Sequence, residues 1–195
     1  MIRVLGLDPA VAGPTGYGII DGDGRRCRIV HYGALPGAAK RRSECAGSPL
    51  AGVHALLERL IGEFDPDVMA VESVFAALNI RTALRLAEVR GVVLLAAEQH
   101  GIPIHSYSPR EVKASVAGYG HATKEQIQLM VRAILSMRET PEPSDAADAL
   151  AVALCHLQMD RAKRRFGATP APERRVPSRP NSPGRVPAPL SEMQR

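Results

Sequence analysis

The sequence predicts an α/β fold in which a mixed five-stranded sheet carries helices on both of its faces. Three apolar, strand-like runs follow one another near the N-terminus, as in an antiparallel meander. Further strand-like runs then alternate with segments whose apolar residues recur at helical spacing. Strands that alternate with helices pair in parallel, so the two patterns together give a mixed sheet.

The meander comprises predicted strands over residues 2–8, 17–21 and 27–35. A turn rich in Gly, Pro and Ala spans residues 9–16, and the sequence Asp-Gly-Asp-Gly at 21–24 predicts a hairpin turn. A polar loop over residues 36–48 follows the meander, and five predicted helices and two predicted strands come after it. Helices are predicted over 50–64, 79–100, 110–116, 123–135 and 145–163, and strands over 67–72 and 103–107.

Composition excludes several classes of protein. The longest apolar runs fall well short of the roughly 20 residues that a membrane-spanning helix needs. The N-terminus begins directly with a strand pattern, so we expect neither a signal peptide nor a membrane partner. The cysteines are Cys27, Cys45 and Cys155, an odd number without metal-ligand spacing, which indicates reduced thiols in a cytoplasmic protein.

The charge of the chain divides it into a predicted domain and a predicted tail. Residues 161–195 contain nine Lys or Arg and two Glu, a net charge of +7, whereas the first 160 residues contain 16 Lys or Arg and 18 Asp or Glu, a net charge of −2. We therefore predict a folded domain over residues 1–164 and a disordered, basic Pro- and Arg-rich tail over residues 165–195. Any nucleic-acid surface on the domain must be a local patch.

Four acidic residues occupy positions that a fold can bring together. Asp8 and Glu72 end two apolar strands, and Asp145 and Asp148 share one face at the start of the last helix. Taken singly, each has an ordinary explanation: a turn-forming Asp before Pro9, a strand-end charge, or acids at a helix N-terminus. Their coincidence favours one site, because clustered carboxylates repel one another unless a cation lies between them.

Carboxylate oxygens suit Mg²⁺ or Mn²⁺. Two such ions, roughly 3.5–4 Å apart, are the usual arrangement for in-line displacement at a phosphodiester. The residues therefore predict a metal-dependent enzyme acting on phosphate esters, with two Mg²⁺ ions in each active site and Mn²⁺ as a substitute.

Four segments carry a resemblance to a known family. They are LGLDP…TGYGII at 5–20, VESVF…N at 71–79, SPREVKASVAGYGHATKEQIQLMV at 108–131 and DAADALAVALCH at 145–156. In order and spacing they resemble the RuvC family of bacterial Holliday-junction resolvases. The resemblance implies a ribonuclease-H-like fold, a homodimer, and Mg²⁺-dependent nicking of two opposed strands of four-way junction DNA in recombination and repair. It also implies 5′-phosphate and 3′-hydroxyl ends and partnership with the RuvA–RuvB branch-migration complex.

The resemblance also implies roles for individual residues. Asp8, Glu72, Asp145 and Asp148 would be the catalytic, metal-binding carboxylates. Phe75 would stack on a junction base, and Lys113 and Lys124 would lie near the scissile phosphate. Arg81 and Arg85 lie four apart on the helix after Phe75, so they could bind one DNA strand, although a solvated helix face explains them equally well.

Two positions depart from the family pattern. The turn after Asp8 carries Ala10 in place of the usual Gly and is one residue longer. Leu78 stands where relatives can carry Lys. His156, two turns beyond the last carboxylates, is interpreted as structural.

Three other classes of protein remain as alternatives. An ATP-binding protein of the actin and sugar-kinase type also opens with a strand, an Asp and a Gly-rich turn, but it needs two domains. A non-catalytic junction-binding module has no use for four carboxylates near DNA. A ribonuclease H acting on RNA–DNA hybrids is disfavoured by Phe75 and by the late pair of aspartates.

Overall fold

The structure, a computed structural model, describes residues 1–10, 14–35, 49–73 and 80–167. Predictions for Cys45, Phe75 and Leu78, and for the tail from residue 168, concern residues outside this part. The described strands are β1 (Ile2–Asp8), β2 (Thr15–Gly22), β3 (Cys27–Leu35), β4 (Val68–Glu72) and β5 (Ile104–Tyr107). The described helices are α1 (Pro49–Phe64), α2 (Ile80–Gln99), α3 (Pro109–Ala117), α4 (Lys124–Ile134) and α5 (Ser144–Arg165).

The five strands form one mixed sheet in the order β3-β2-β1-β4-β5. The meander β1-β2-β3 is antiparallel, and β4 joins β1 in parallel, followed by β5 in parallel with β4. Helices cover both faces, so the predicted α/β architecture is confirmed. Because β1, β4 and β5 run in the same direction, their carboxyl ends meet at one edge of the sheet.

Side chains of alternating strand residues build two separate cores. Leu5 and Leu7 of β1 face α1 and α2, together with Met69 and Val71 of β4. The residues between them face the other way. Val4, Val68 and Ala70 belong to a core with α3, α4 and α5. The sheet is therefore covered on both sides, as its parallel part requires.

Helix α5 lies across the centre of the sheet, and between Ala146 and Leu157 every residue except the half-buried Asp148 is buried. Five residues in this stretch are alanines, whose small side chains add little to the width of the helix, and glycines of the strands leave room beneath it. A side-chain carbon on Gly6 of β1 would collide with the carbonyl oxygen of Ala149, and one on Gly18 of β2 would lie 2.7 Å from Leu150. Small residues on both partners therefore allow the helix to approach the strands closely.

The hairpin between β2 and β3 differs from its prediction. The turn is made by residues 23–26, where the Asp23 amide donates to the carbonyl of Arg26 over 3.1 Å, and not by residues 21–24. Asp21 is instead a buried residue of β2. Its carboxylate binds Arg3 of β1 at 2.7 Å and Arg28 of β3 at 2.6 Å, and these partners hold its pKa below the usual range.

The predicted boundary after residue 164 falls in the last turn of α5, which ends at Arg165. The predicted disorder of the tail stays a prediction. Within the described residues, none of the helices is both long enough and apolar enough to cross a membrane.

Candidate active site

Strand geometry places Asp8 and Glu72 side by side. The parallel register pairs Leu7 with Val71, so the next residues, Asp8 and Glu72, are neighbours at the carboxyl edge of the sheet. Both follow residues that face α1 and α2, so alternation directs both carboxyl groups to the face covered by α5. The prediction that these two strands lie side by side is confirmed.

The first turns of α5 bring two further carboxylates to the same edge. Asp145 and Asp148 lie three residues apart near the N-terminus of α5, and both are half-buried. Gly16 of β2, which pairs with Asp8, lies directly against the carbonyl of Asp145, where a larger residue would collide. The close packing of α5 on the meander therefore fixes where the two aspartates lie.

The four acids interact electrostatically. Burial, reinforced by the charge of Glu72, raises the pKa of Asp8 to about 8, and Asp148 and Asp145 act in the same direction. Asp8 and Glu72 share a hydrogen bond, in which one carboxyl group donates its proton to the other carboxylate. Burial also raises the pKa of Glu72, against the opposing effects of the Asp8 hydrogen bond and of two nearby lysines. The cluster thus holds more negative charge than its surroundings favour.

Two lysines supply the opposite charge. Nζ of Lys124 lies 2.7 Å from Oδ2 of Asp148, and this ion pair raises the pKa of Lys124. The charges of Lys113 and Lys124 both lower the pKa of Glu72, so Lys113 lies within electrostatic range of the acids as well. The structure therefore brings together six of the residues predicted for the site, namely Asp8, Glu72, Lys113, Lys124, Asp145 and Asp148.

Capping interactions orient the helices that carry the lysines. Thr123 caps α4 immediately before Lys124, and Ser108 caps α3, which carries Lys113 in its second turn. In both cases a residue three positions later, Gln126 or Glu111, bonds back to the amide of the capping residue. The sequence pattern Ser/Thr-x-x-Glu/Gln, present at 108–111 and 123–126, is typical of such capping boxes.

The remaining predicted DNA-binding residues lie elsewhere. Arg81 and Arg85 are exposed on the first turns of α2. Among the described residues, no ion pair or hydrogen bond joins either of them to the acid cluster. Arg90, further along the same helix, is half-buried: its Nη2 donates to the hydroxyl of Ser106 over 2.7 Å. Its Nη1 is buried and has no hydrogen-bond partner in the described part of the chain. Phe75 lies outside the described residues.

The donor set fits a hard divalent cation. Carboxylates supply oxygen ligands, and a cation between them would relieve the repulsion that raises the pKa of Asp8. With the side chains as they stand, residues 1–10, 14–35, 49–73 and 80–167 contain no group of three or more His, Cys, Asp or Glu arranged as a metal site. The hydrogen bond between Asp8 and Glu72 and the ion pair of Asp148 partly balance the charge in this arrangement.

Comparison with known proteins identifies relatives over most of the chain. The family described as "Crossover junction endodeoxyribonuclease RuvC" matches residues 4–156. The RuvC of Chloroflexus aggregans is 44% identical over 169 residues, which cover 86% of this chain and 100% of the relative. The RuvC of Halothermothrix orenii is 40% identical over 164 residues, covering 84% and 97% of the two chains.

A solved structure of T. thermophilus RuvC in complex with Holliday junction substrate superposes with a TM-score of 0.75. It is 35% identical in sequence, and the match covers 83% of this chain and 96% of that one. The fold and the acid cluster at the sheet edge define a nuclease of the ribonuclease-H-like class. More specifically, the chain belongs to the RuvC family of crossover junction endodeoxyribonucleases.

Proposed function

We propose that this protein resolves Holliday junctions by paired, symmetric nicks in two opposed strands, as part of homologous recombination and DNA repair in the cytoplasm. The observation that supports this most strongly is the convergence of Asp8, Glu72, Asp145 and Asp148 on one face at one edge of the sheet. These acids come from β1, β4 and α5, which are far apart in sequence. Relatives that this chain matches over nearly the whole of their own length are crossover junction endodeoxyribonucleases.

The four carboxylates are proposed to bind two Mg²⁺ ions, and Mn²⁺ is proposed to substitute. Bound there, the ions would supply the activation of water and the stabilisation of the leaving oxygen in an in-line displacement that leaves 5′-phosphate and 3′-hydroxyl ends. The residues of the chain orient the scissile phosphate. Lys113 and Lys124 offset negative charge on the phosphate oxygens, and Lys124 also holds Asp148 in place.

DNA contacts outside the acid cluster are proposed for Phe75, Arg81 and Arg85. Phe75 would stack on an unpaired junction base, a contact worth roughly 1–3 kcal/mol. The exposed guanidinium groups of Arg81 and Arg85 lie one helical turn apart, a spacing that suits successive phosphates of one strand.

Paired nicks require two active sites, so a homodimer is proposed. Ile80, Leu84 and Leu95 of α2 have 80%, 62% and 53% of their surface exposed, respectively. Large apolar side chains in solvent on one helix favour contact with a second copy of the chain. Partnership with the RuvA–RuvB complex is proposed from family membership alone.

The proposal is tested by cleavage of a labelled synthetic four-way junction. The wild-type chain should nick opposed strands in Mg²⁺ and in Mn²⁺, and it should leave linear duplex and RNA–DNA hybrid intact. Asp8→Asn should bind the junction without cutting it. Mg²⁺ should also raise the melting temperature of the wild type more than that of Asp8→Asn, because a ligand that binds the native state stabilises it.

Two results would count against the proposal. Junction binding by the wild type without cleavage in either metal would indicate a non-catalytic junction-binding module. Cleavage of the hybrid in preference to the junction would indicate a ribonuclease H.

A further inference from the structure

A cationic surface lies at the end of the molecule opposite the active site. We name it the distal basic patch. It consists of two residues of the β2–β3 turn and four at the end of α5: Arg25, Arg26, Arg161, Lys163, Arg164 and Arg165. No step of the chemistry described above uses any of them.

Direct contacts fix the two halves of the patch to each other. Nη1 of Arg161 donates to the carbonyl oxygen of Gly24 over 2.9 Å. Gly24 has a φ of +78°, and a side-chain carbon added to it would lie 2.6 Å from Cβ of Arg161. The carboxylate of Asp23 accepts hydrogen bonds from the amides of Arg25 and Arg26, each over 2.8 Å. The turn is therefore ordered by local bonds and packed tightly against the helix.

The charge of the patch is largely unbalanced. Residues 23–26 and 160–167 contain these six cations and two carboxylates, a net charge of +4. Asp160 pairs with Arg164 at 2.8 Å, and the other carboxylate, Asp23, is occupied by the turn amides. Within the described part of the chain no ion pair joins Arg25, Arg26 or Arg165 to an acid. A shallow concavity of about 550 Å³ lies between the turn and the helix, lined mainly by arginines.

The fold determines how far the patch lies from the chemistry. Strand β2 is antiparallel to β1, so the turn that follows it lies at the edge opposite Asp8. Helix α5 connects the two ends, because it carries Asp145 in its first turn and ends at Arg165. At about 1.5 Å per residue, these 20 residues span roughly 30 Å. Duplex DNA covers this distance in about nine base pairs, at roughly 3.4 Å each.

The chemistry of the patch favours a nucleic-acid backbone over an acidic protein. Arginine is the side chain best suited to phosphate, because its guanidinium donates two parallel hydrogen bonds. A protein interface needs an apolar centre, whereas Phe166 is the single large apolar side chain exposed among described residues 158–167. The sequence beyond Gly167 adds five Arg and two Glu, which increases the attraction for a polyanion.

We propose that the distal basic patch binds the phosphate backbone of a duplex arm of the junction, about nine base pairs from the cleaved phosphate. The identity of the duplex as a junction arm rests on the proposed function, whereas the binding of duplex phosphate does not. The patch would add affinity and orient the arm, and its contribution would depend on salt but not on sequence.

The test uses the full chain with the triple substitution R25Q/R26Q/R165Q. None of these side chains makes a described contact, so the fold should be retained, and thermal unfolding checks this. The matched control is R59Q/R132Q/R138Q, which removes the same charge from exposed sites on other elements. Affinity is measured in EDTA, at several salt concentrations, for junctions with arms of about 20 base pairs and for hairpin-capped arms of about five, roughly 17 Å long.

On long arms, the patch variant should bind about tenfold more weakly than the wild type, and the slope of log affinity against log salt should fall by about 2–3. On short arms, which do not reach the patch, the affinity of the patch variant should match that of the wild type. The control variant should match the wild type on both. A linear duplex of about 20 base pairs should show the same loss as the long arms.

Equal affinities and slopes for the patch variant and the control on long arms would overturn the proposal and would favour an acidic protein as the partner of the patch. An equal loss of affinity on short and long arms would also overturn it. Failure of the proposed function looks different: the wild type would cut no junction, yet the loss on linear duplex would persist.

Discussion

Lys124 belongs directly to the acid cluster, because its ammonium group lies 2.7 Å from Oδ2 of Asp148. Lys124 is the first residue of α4, directly after the Thr123 cap that fixes where this helix begins. A residue in this position can both hold a carboxylate and neutralise a phosphate oxygen.

We expect Lys124→Met to reduce the single-turnover rate of junction cleavage by about 10²-fold, because the removal of one such donor typically costs that much. Lys124→Arg should retain part of the rate, since it keeps the charge. Junction affinity should change by less than the rate in both variants. A Lys124→Met rate within twofold of the wild type would show that Lys124 has only a structural role.

His156 is a buried residue whose protonation affects stability. Its Nδ1 lies 2.8 Å from the hydroxyl of Tyr107, and the ring of His105 lies against it, tilted by 41°. Burial and the charge of His105 lower the pKa of His156 to about 4, a shift that Lys163 and Arg164 of α5 increase and that Asp160 opposes. The interpretation of this histidine as structural agrees with its burial.

Because the folded state disfavours the charged ring, the unfolded state binds more protons between pH 6.5 and pH 4. The stabilisation is present above pH 6.5 and is lost as the pH falls towards 4, by about 2–3 kcal/mol in all. In His156→Gln, urea unfolding should therefore depend less on pH across this range than in the wild type. Parallel curves for the two proteins would contradict this prediction.

At the scale of elements, the contact between α5 and the meander decides where two of the four acids lie. Gly6 has the backbone of Ala149 directly above it, so any side chain there must push the helix away. We expect Gly6→Ala to lower the free energy of unfolding by about 1–3 kcal/mol, the usual range for overpacking. Its cleavage rate should fall even at temperatures where the variant is fully folded, because Asp145 and Asp148 move with the helix.

The matched control for Gly6→Ala is Gly62→Ala. Gly62 lies on the exposed side of α1 with nothing within 4 Å of an added carbon. Alanine is the better helix former there, so this variant should gain about 0.5–1 kcal/mol and cut junctions normally. Normal activity in a folded Gly6→Ala would show that the position of α5 is less critical than the packing implies.

Elements with a strong local pattern could be predicted from the sequence. Strands β1 and β3 have the predicted bounds, and the capped helix α4 begins one residue after the predicted start. The convergence of Asp8 and Glu72 also followed, since parallel strands share a carboxyl edge. Features that depend on contacts between distant segments could not be predicted from the sequence. The β2–β3 turn lies two residues later than predicted, because Arg3 and Arg28 bury Asp21 within the sheet.

The same limit applied within the site. The ion pair of Lys124 with Asp148 depends on how α4 docks beside α5, which no local pattern specifies. Likewise, the half-burial of Arg90 and its hydrogen bond to Ser106 depend on how α2 packs against β5, which the helix sequence alone does not indicate.

At the scale of the whole molecule, the proposed dimer predicts that a charge on the exposed apolar side of α2 separates the subunits. Leu84→Asp should sediment as a monomer, whereas Leu129→Asp, on an exposed site of α4, should behave as the wild type does. Nicks by Leu84→Asp should become independent on the two strands. A Leu84→Asp dimer in analytical ultracentrifugation would move the interface to another surface.

The acid cluster is complete only when α5 is present. Asp8 lies in the first strand, yet the aspartates that complete the cluster belong to α5, the last described element. A nascent or proteolytically shortened chain that ends before α5 lacks half of the carboxylates and the helix that lies across the centre of its sheet. We therefore expect such an unfinished polypeptide to have no nuclease activity.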